Sequence, residues 1–186
     1  MEVVLQNLWK IPTAVFLFFI LMASASAQVV ALGASNTRGW GVSEAQSYPT
    51  QLQALLQARG SSLRVTNEGV PGDTTGEMLA RLASAVPDGT KIVILQFGTN
   101  DARLNTPPAT RQANIAAILE ELRKRGIRSV QVDELMDAAL RDGLVQSDGI
   151  NLTAEGYRRS TTSIHSLMFA AELTQSSCLT DTPKRA

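Results

Sequence analysis

The run Ile92-Val93-Ile94-Leu95 constrains the fold more than any other stretch. A continuous apolar tetrapeptide flanked by turn residues suits a strand buried on both faces, as at the centre of a parallel sheet. Val29-Val30-Ala31-Leu32 is a second run of the same kind, and weaker strands are expected at Leu63 to Thr66 and Ile127 to Val132. Helical patterns separate them. Pro49 opens one helix, in which Leu52, Leu55 and Leu56 recur at helical spacing until Gly60. Thr74 with Glu77 forms a capping-box pattern ahead of Met78, Leu79, Leu82 and Val86, which ends before Pro87. Pro107 and Pro108 introduce a third helix, with Ile115, Ile118, Leu119 and Leu122 on one face and Gly126 beyond its end. A short irregular or helical piece then spans Asp133 to Val145, followed by a turn at Ser147 to Asn151 and a last helix from about Thr153 to Leu173. This alternation predicts an α/β fold: a three-layer α/β/α sandwich around a four- to five-stranded parallel sheet.

A chain of 186 residues suits one domain. Its 17 basic residues balance 17 acidic ones, which leaves no electrostatic footprint for nucleic acid. One histidine and one cysteine, Cys178, make a metal site improbable, and the glycines from Gly33 to Gly41 lack the spacing of a nucleotide fingerprint, so no cofactor is expected. At the N-terminus Lys10 precedes the apolar run Ile11 to Met22 and then Ala23-Ser24-Ala25-Ser26-Ala27. That order reads as a secretory signal over residues 1–27, with a periplasmic or secreted product; the alternative is an uncleaved N-terminal membrane anchor. The folded domain is then expected over residues 28–173. Residues 174–186 lack a periodic apolar face and read as a disordered tail.

Ligands of parallel α/β sheets bind beyond the carboxyl ends of the strands. Three polar turns of this chain fall there. Ser35 follows the first strand, Asn67 and Gly69 the second, and Asn100 the third. Ser35 is a candidate nucleophile, and its own N–H, the N–H of Gly69 and the side-chain amide of Asn100 are candidate donors to one tetrahedral oxyanion. Trp40 is expected chiefly as a bulky packing residue, with a place in the substrate cleft as the alternative.

These stretches resemble the SGNH hydrolases, the GDSL esterase/lipase family, and in particular its small bacterial thioesterase I, lysophospholipase and arylesterase members. Gly33-Ala34-Ser35-Asn36 is similar to the first family block, Asn67 to Thr74 to the second, and Gly98-Thr99-Asn100-Asp101 to the third. Asp148-Gly149-Ile150-Asn151, continuing to Tyr157, is similar to the fifth. The resemblance implies a flavodoxin-like sandwich and a small acyl or aryl ester or thioester substrate. It also implies Ser35 as nucleophile, an oxyanion hole of Ser35, Gly69 and Asn100, and Asp148 as the carboxylate that orients the base.

Ala34 and Asn36 depart from the Gly-Asp-Ser-Leu wording at positions outside the acyl chemistry. The larger departure is Asn151, which stands where the family has its base histidine. A carboxamide has no basic lone pair near neutral pH. The single histidine, His165, lies fourteen residues further on, about 20 Å along a continuous helix, and reads as a helix-face residue. The expectation is therefore an SGNH-type esterase or thioesterase impaired by loss of its base. The alternatives are a non-catalytic acyl-ligand-binding protein and a carbohydrate deacetylase.

Overall fold

A computed structural model describes residues 28–178, with side-chain environments through residue 170. The expected signal segment and residues 179–186 lie outside the described residues. β1 (Val29–Gly33), β2 (Val65–Gly69), β3 (Ile92–Gln96) and β4 (Arg128–Gln131) form one sheet in the order β2-β1-β3-β4. All three pairings are parallel. The two apolar runs are thus the two central strands, and both are buried almost throughout.

The helices are α1 (Ser35–Arg38), α2 (Tyr48–Ala58), α3 (Thr75–Ala80), α4 (Leu82–Ala85), α5 (Asn100–Arg103), α6 (Pro108–Lys124), α7 (Asp133–Arg141) and α8 (Ala154–Cys178). Successive side chains of a strand point to opposite faces, so each central strand feeds two cores. Val30, Leu32, Val93 and Leu95 pack with Met78, Leu82, Ile115, Ile118 and Leu122 from α3, α4 and α6. On the other face Val29, Ala31 and Ile94 pack with Tyr48, Leu52, Met136, Tyr157 and Ile164 from α2, α7 and α8. The result is the expected three-layer sandwich.

The sheet has four strands among the described residues, within the expected four to five, because the span after β4 forms helix α7 and only an isolated antiparallel bridge, Val145 to Leu152. Three local features differ from the sequence reading. Strand β2 runs on to Gly69, taking Asn67 and Gly69 into the sheet rather than into the loop. The helix expected from Thr74 to Val86 is capped as the pattern implied, with the Thr74 side chain accepting from the Glu77 N–H, but it breaks at Arg81 into α3 and α4. At the other end of the chain α8 continues to Cys178, beyond Leu173.

Candidate active site

Ser35 is delivered by a turn that only glycine permits. A Cβ on Gly33 would lie 2.2 Å from Thr37 Oγ1 and 2.8 Å from the Gln96 carbonyl. Below the turn, Gln96 Oε1 accepts hydrogen bonds from the Ala34 N–H at 3.4 Å and from Thr37 Oγ1 at 3.3 Å. Above it, the Ser35 carbonyl accepts from the N–H groups of Gly39 and Trp40, both at 3.0 Å. Ser35 is the first residue of α1, and its own N–H meets no acceptor among the described residues, as a first-turn donor does not.

Asn100 enters from the end of β3. It is buried, and its Nδ2 donates to the Asp73 carbonyl at 2.8 Å. A carboxamide nitrogen carries two protons, so the second remains for a ligand. The loop leading to Asn100 is held from two directions. Asp133 accepts from the Phe97 N–H at 3.0 Å and the Gly98 N–H at 2.9 Å, while Arg111 donates to the Gly98 carbonyl at 3.3 Å. Burial pushes the Asp133 carboxyl above its ordinary value, opposed by those two amides and by the charge of Arg111. Asp101, fully buried, accepts from the Thr75 N–H at 2.9 Å and hydroxyl at 2.7 Å and so joins α5 to α3. The sequence reading did not single out Asp133 or Arg111, because neither lies within a motif.

Gly69 does not reach the site. Its N–H is consumed by Asn67 Oδ1 at 3.0 Å, and it sits in strand register opposite Gly33. Its lack of a side chain serves packing instead, since a Cβ there would meet the Arg38 backbone nitrogen at 2.2 Å. The glycine of this loop that lines the cleft is Gly72. It has φ +93°, a Cβ there would meet nothing within 4 Å, and its N–H has no acceptor among the described residues. The signal was present in the sequence. Asn67-x-Gly69 is an Asx pattern that spends the Gly69 N–H locally, whereas Gly72 lies past the strand, just before the capped helix.

Asp148 and Asn151 approach from the loop before α8. Asp148 Oδ1 accepts from the N–H groups of Ile150 and Asn151, both at 2.9 Å, and Oδ2 accepts from Asn151 Nδ2 at 2.6 Å. The Asn151 side-chain bond, then the two amides and the nearby charge of Arg103, hold the Asp148 carboxyl below the usual carboxylate range. Asn151 is 5% exposed. Its Oδ1 is buried without a hydrogen-bond partner among the described residues. Asn36 ties this loop to the serine turn, donating to the Ile150 carbonyl and accepting from the Leu152 N–H and the Tyr157 hydroxyl, all at 3.0 Å. Asn36, discounted in the sequence as outside the chemistry, is the strut between the two halves of the site.

Ser35, Gly72, Asn100, Asp148 and Asn151 all line one cleft of about 260 Å³, together with Trp40 and Arg103. Trp40 is 54% exposed, so it belongs to the cleft wall rather than to the core, contrary to its expected packing role. The competing signal was its apolar bulk, which the short loop after α1 gives no interior to enter. A neighbouring hollow of about 360 Å³ shares Ser35, Asn100 and Ile150 and is lined further by Met136, Leu140 and Asp133. His165 lies on α8 with its ring 4.9 Å from that of Phe169, and burial followed by the charge of Arg59 lowers its pKa. It lines neither hollow. Among the described residues no group of three or more His, Cys, Asp or Glu side chains could hold a metal ion.

A serine at the exit of a central parallel strand, facing amide donors from two further loops and an aspartate before the last helix, defines an α/β protein of serine-hydrolase type. The chain belongs to the GDSL-like lipase/acylhydrolase family, whose model matches residues 31–146. It is similar to an arylesterase of Vibrio mimicus, 31% identical over 119 residues, covering 62% of this chain and 60% of that one. It is also similar to esterase TesA of Pseudomonas aeruginosa, 31% identical over 111 residues, covering 59% and 55% of the two chains. The matches thus span somewhat more than half the length of these relatives. In three dimensions the crystal structure of TesA superposes with a TM-score of 0.69 at 21% identity, covering 75% of this chain and 97% of that one. At that identity the likeness shows the fold.

Proposed function

We propose that this protein hydrolyses small acyl or aryl esters and thioesters through Ser35, with turnover impaired by the carboxamide at the base position. The observation that carries this reading is the convergence of Ser35, Gly72, Asn100, Asp148 and Asn151 on one cleft. Ser35 Oγ attacks the substrate carbonyl, and the resulting oxyanion is received by the N–H groups of Ser35 and Gly72 and the second amide proton of Asn100. Collapse of that intermediate breaks the bond to the leaving group and leaves an acyl-serine, which water then hydrolyses.

The difficulty is the serine proton. Asn151 keeps one half of a base's geometry, since its Nδ2 donates to Asp148 at 2.6 Å. Its Oδ1 accepts a hydrogen bond but is not protonated near neutral pH. Asp148 does not replace it, because a carboxyl held below its usual range is a weaker base than an ordinary aspartate. Removing the base from a serine triad costs on the order of 10⁶ in turnover, while roughly 10³- to 10⁴-fold over water survives through the oxyanion hole and binding. With no side-chain base, the serine proton passes to solvent water and the leaving group departs as its anion or takes a proton from water, so the expected turnover is slow.

The partnerless Oδ1 of Asn151 supports a second reading, an acyl-ligand-binding protein in which that acceptor engages a donor of the ligand. Hydrolysis of p-nitrophenyl acetate by the native chain, Ser35→Ala and Asn151→His separates the two. The hydrolase reading expects weak native turnover abolished by Ser35→Ala, and a gain on the order of 10³-fold or more with Asn151→His. Native turnover no greater than that of Ser35→Ala, with acyl-ligand affinity unchanged, establishes the binding reading. No gain from the histidine shows that position 151 is not where the base belongs. The pattern of Lys10, Ile11 to Met22 and Ala23 to Ala27 supports export to the periplasm or beyond as the setting for this activity.

A further inference from the structure

Arg81 stands at the break between α3 and α4, outside every residue that lines the cleft, and its guanidinium turns back to the carboxyl ends of the strands. Nε donates to Asp73 Oδ2 at 2.6 Å. Nη2 donates to two backbone carbonyls, that of Gly33 at 3.2 Å and that of Glu68 at 2.9 Å. Nη1 lies 3.9 Å from Glu68 Oε2. The side chains of Arg81 and Asp73 are 20% and 9% exposed, so these bonds are largely shielded from water.

The contacts to Glu68 hold the end of β2, and those to Gly33 and Asp73 fall beside donors of the oxyanion hole. Gly33 lies two residues before Ser35, and its carbonyl is also held by the Val70 N–H at 3.0 Å. Asp73 follows Gly72 directly, and its carbonyl is the acceptor that fixes Asn100 Nδ2 at 2.8 Å. One planar cation thus reaches the loops carrying the Ser35 and Gly72 amides, and through the Asp73 backbone the Asn100 carboxamide. Guanidinium is the side-chain group able to do this, because it presents five donors in a rigid fork; an ammonium is a point charge on a flexible stem.

We propose that Arg81 is a positioning residue that sets the spacing of the three oxyanion donors. The proposal rests on the reading of the cleft as an oxyanion hole. Its effect falls on the transition state: an oxyanion needs three donors aimed at one point, whereas a ground-state ester is held mainly by the walls of the cleft. Misplacing a catalytic group by about 1 Å costs up to roughly 100-fold in rate.

The test has two arms. In the Asn151→His background, kcat and KM for p-nitrophenyl acetate are compared for Arg81, Arg81→Lys and Arg81→Met. In the otherwise native chain, backbone amide hydrogen exchange is measured for Arg81→Lys and Arg81→Met. The expected result is a fall in kcat of about 10- to 100-fold with KM changed less than about threefold, and no full rescue by lysine. Exchange at Val70 and Asp73, whose N–H groups donate to the Gly33 and Val70 carbonyls at 3.0 and 3.1 Å, is expected to quicken about tenfold, while the amides of β3 stay protected. Full activity with Lys, or a kcat loss no larger than the loss of folded protein, overturns the proposal. If Asn151→His is itself inactive, the hydrolase reading fails in that arm, and the exchange arm still decides the geometry: unchanged exchange at Val70 and Asp73 overturns the positioning role. Should Arg81→Met fail to fold, Arg81→Lys carries both arms.

Discussion

The two halves of the cleft are built to different standards of completeness. On the oxyanion side, Arg81 joins Gly33, Glu68 and Asp73, Asn100 is fixed by the Asp73 carbonyl, and Asp133 with Arg111 holds the loop before Asn100. The donors left over there, the N–H groups of Ser35 and Gly72 and one proton of Asn100, point to a shared purpose. On the base side, Asp148 is satisfied by Asn151 and by two amides, yet Asn151 Oδ1 is buried with no donor among the described residues. An unmet buried acceptor costs about 1–3 kcal/mol. The difference teaches that the donors of one half are braced from several elements while the other half keeps a buried acceptor unmet, the pattern that the proposed impaired hydrolase requires.

The sharpest way to break this comparison is on the oxyanion side. In the Asn151→His background, Asn100→Ala is expected to lower kcat by about 10²- to 10³-fold, as loss of one oxyanion donor does. Steady-state kinetics on an aryl acetate check it. A loss confined to KM would mean that Asn100 binds substrate without stabilising the transition state.

A smaller effect is expected from Asn36→Ala, which removes the strut between the halves. Three hydrogen bonds at 3.0 Å go with it, leaving the Leu152 N–H and the Tyr157 hydroxyl unpaired in the interior. The expected loss is about 1–3 kcal/mol, read by chemical denaturation. Faster amide exchange confined to Ile150, Asn151 and Leu152 would show that the strut acts on the base-side loop. Unchanged stability would detach the two halves from one another.

The smallest effect is electrostatic. The Asp148 carboxyl is held below the usual carboxylate range, so its bonds to Asn151 and Ile150 favour the folded state at neutral pH and above the unfolded value. That contribution is lost as pH falls through the lowered folded value. Asp148 is well exposed, so the global stability change is expected to be slight. The readout is the acid titration of the Ile150 and Asn151 amide resonances, which should move together with a midpoint below that of an ordinary aspartate. A midpoint in the ordinary range would mean that the loop is not organised by Asp148.

Much of this was legible along the chain. Val29 to Leu32 and Ile92 to Leu95 are apolar at every position, and a strand with that pattern has to be covered on both faces, which requires helices on both sides. Thr74 with Glu77 announced a helix start, and the spacing of Ser35, Asn100 and Asp148 within recognisable blocks announced the site. Those signals are local: each depends on a few neighbouring side chains and on the backbone geometry they favour. Gly69 and Gly72 were separable only in part: the Asn67-x-Gly69 pattern spends the Gly69 N–H locally, but which glycine leaves the sheet depends on where the pairing of β2 with β1 ends. Trp40 was misjudged for the same reason, since exposure depends on what the rest of the fold leaves beside it.

By itself, then, the sequence determined the sheet, the layers and the Asp148 to Asn151 turn ahead of the last helix, because periodicity and residue chemistry act at short range. Only the tertiary structure decided that Gly72 faces the cleft, that Asn36 bridges its halves and that Arg81 reaches the strand exits. Asn36 meets Tyr157 across 121 residues and Arg81 meets Gly33 across 48, and the position of Gly72 follows from where β2 stops pairing with β1, none of which a local pattern encodes.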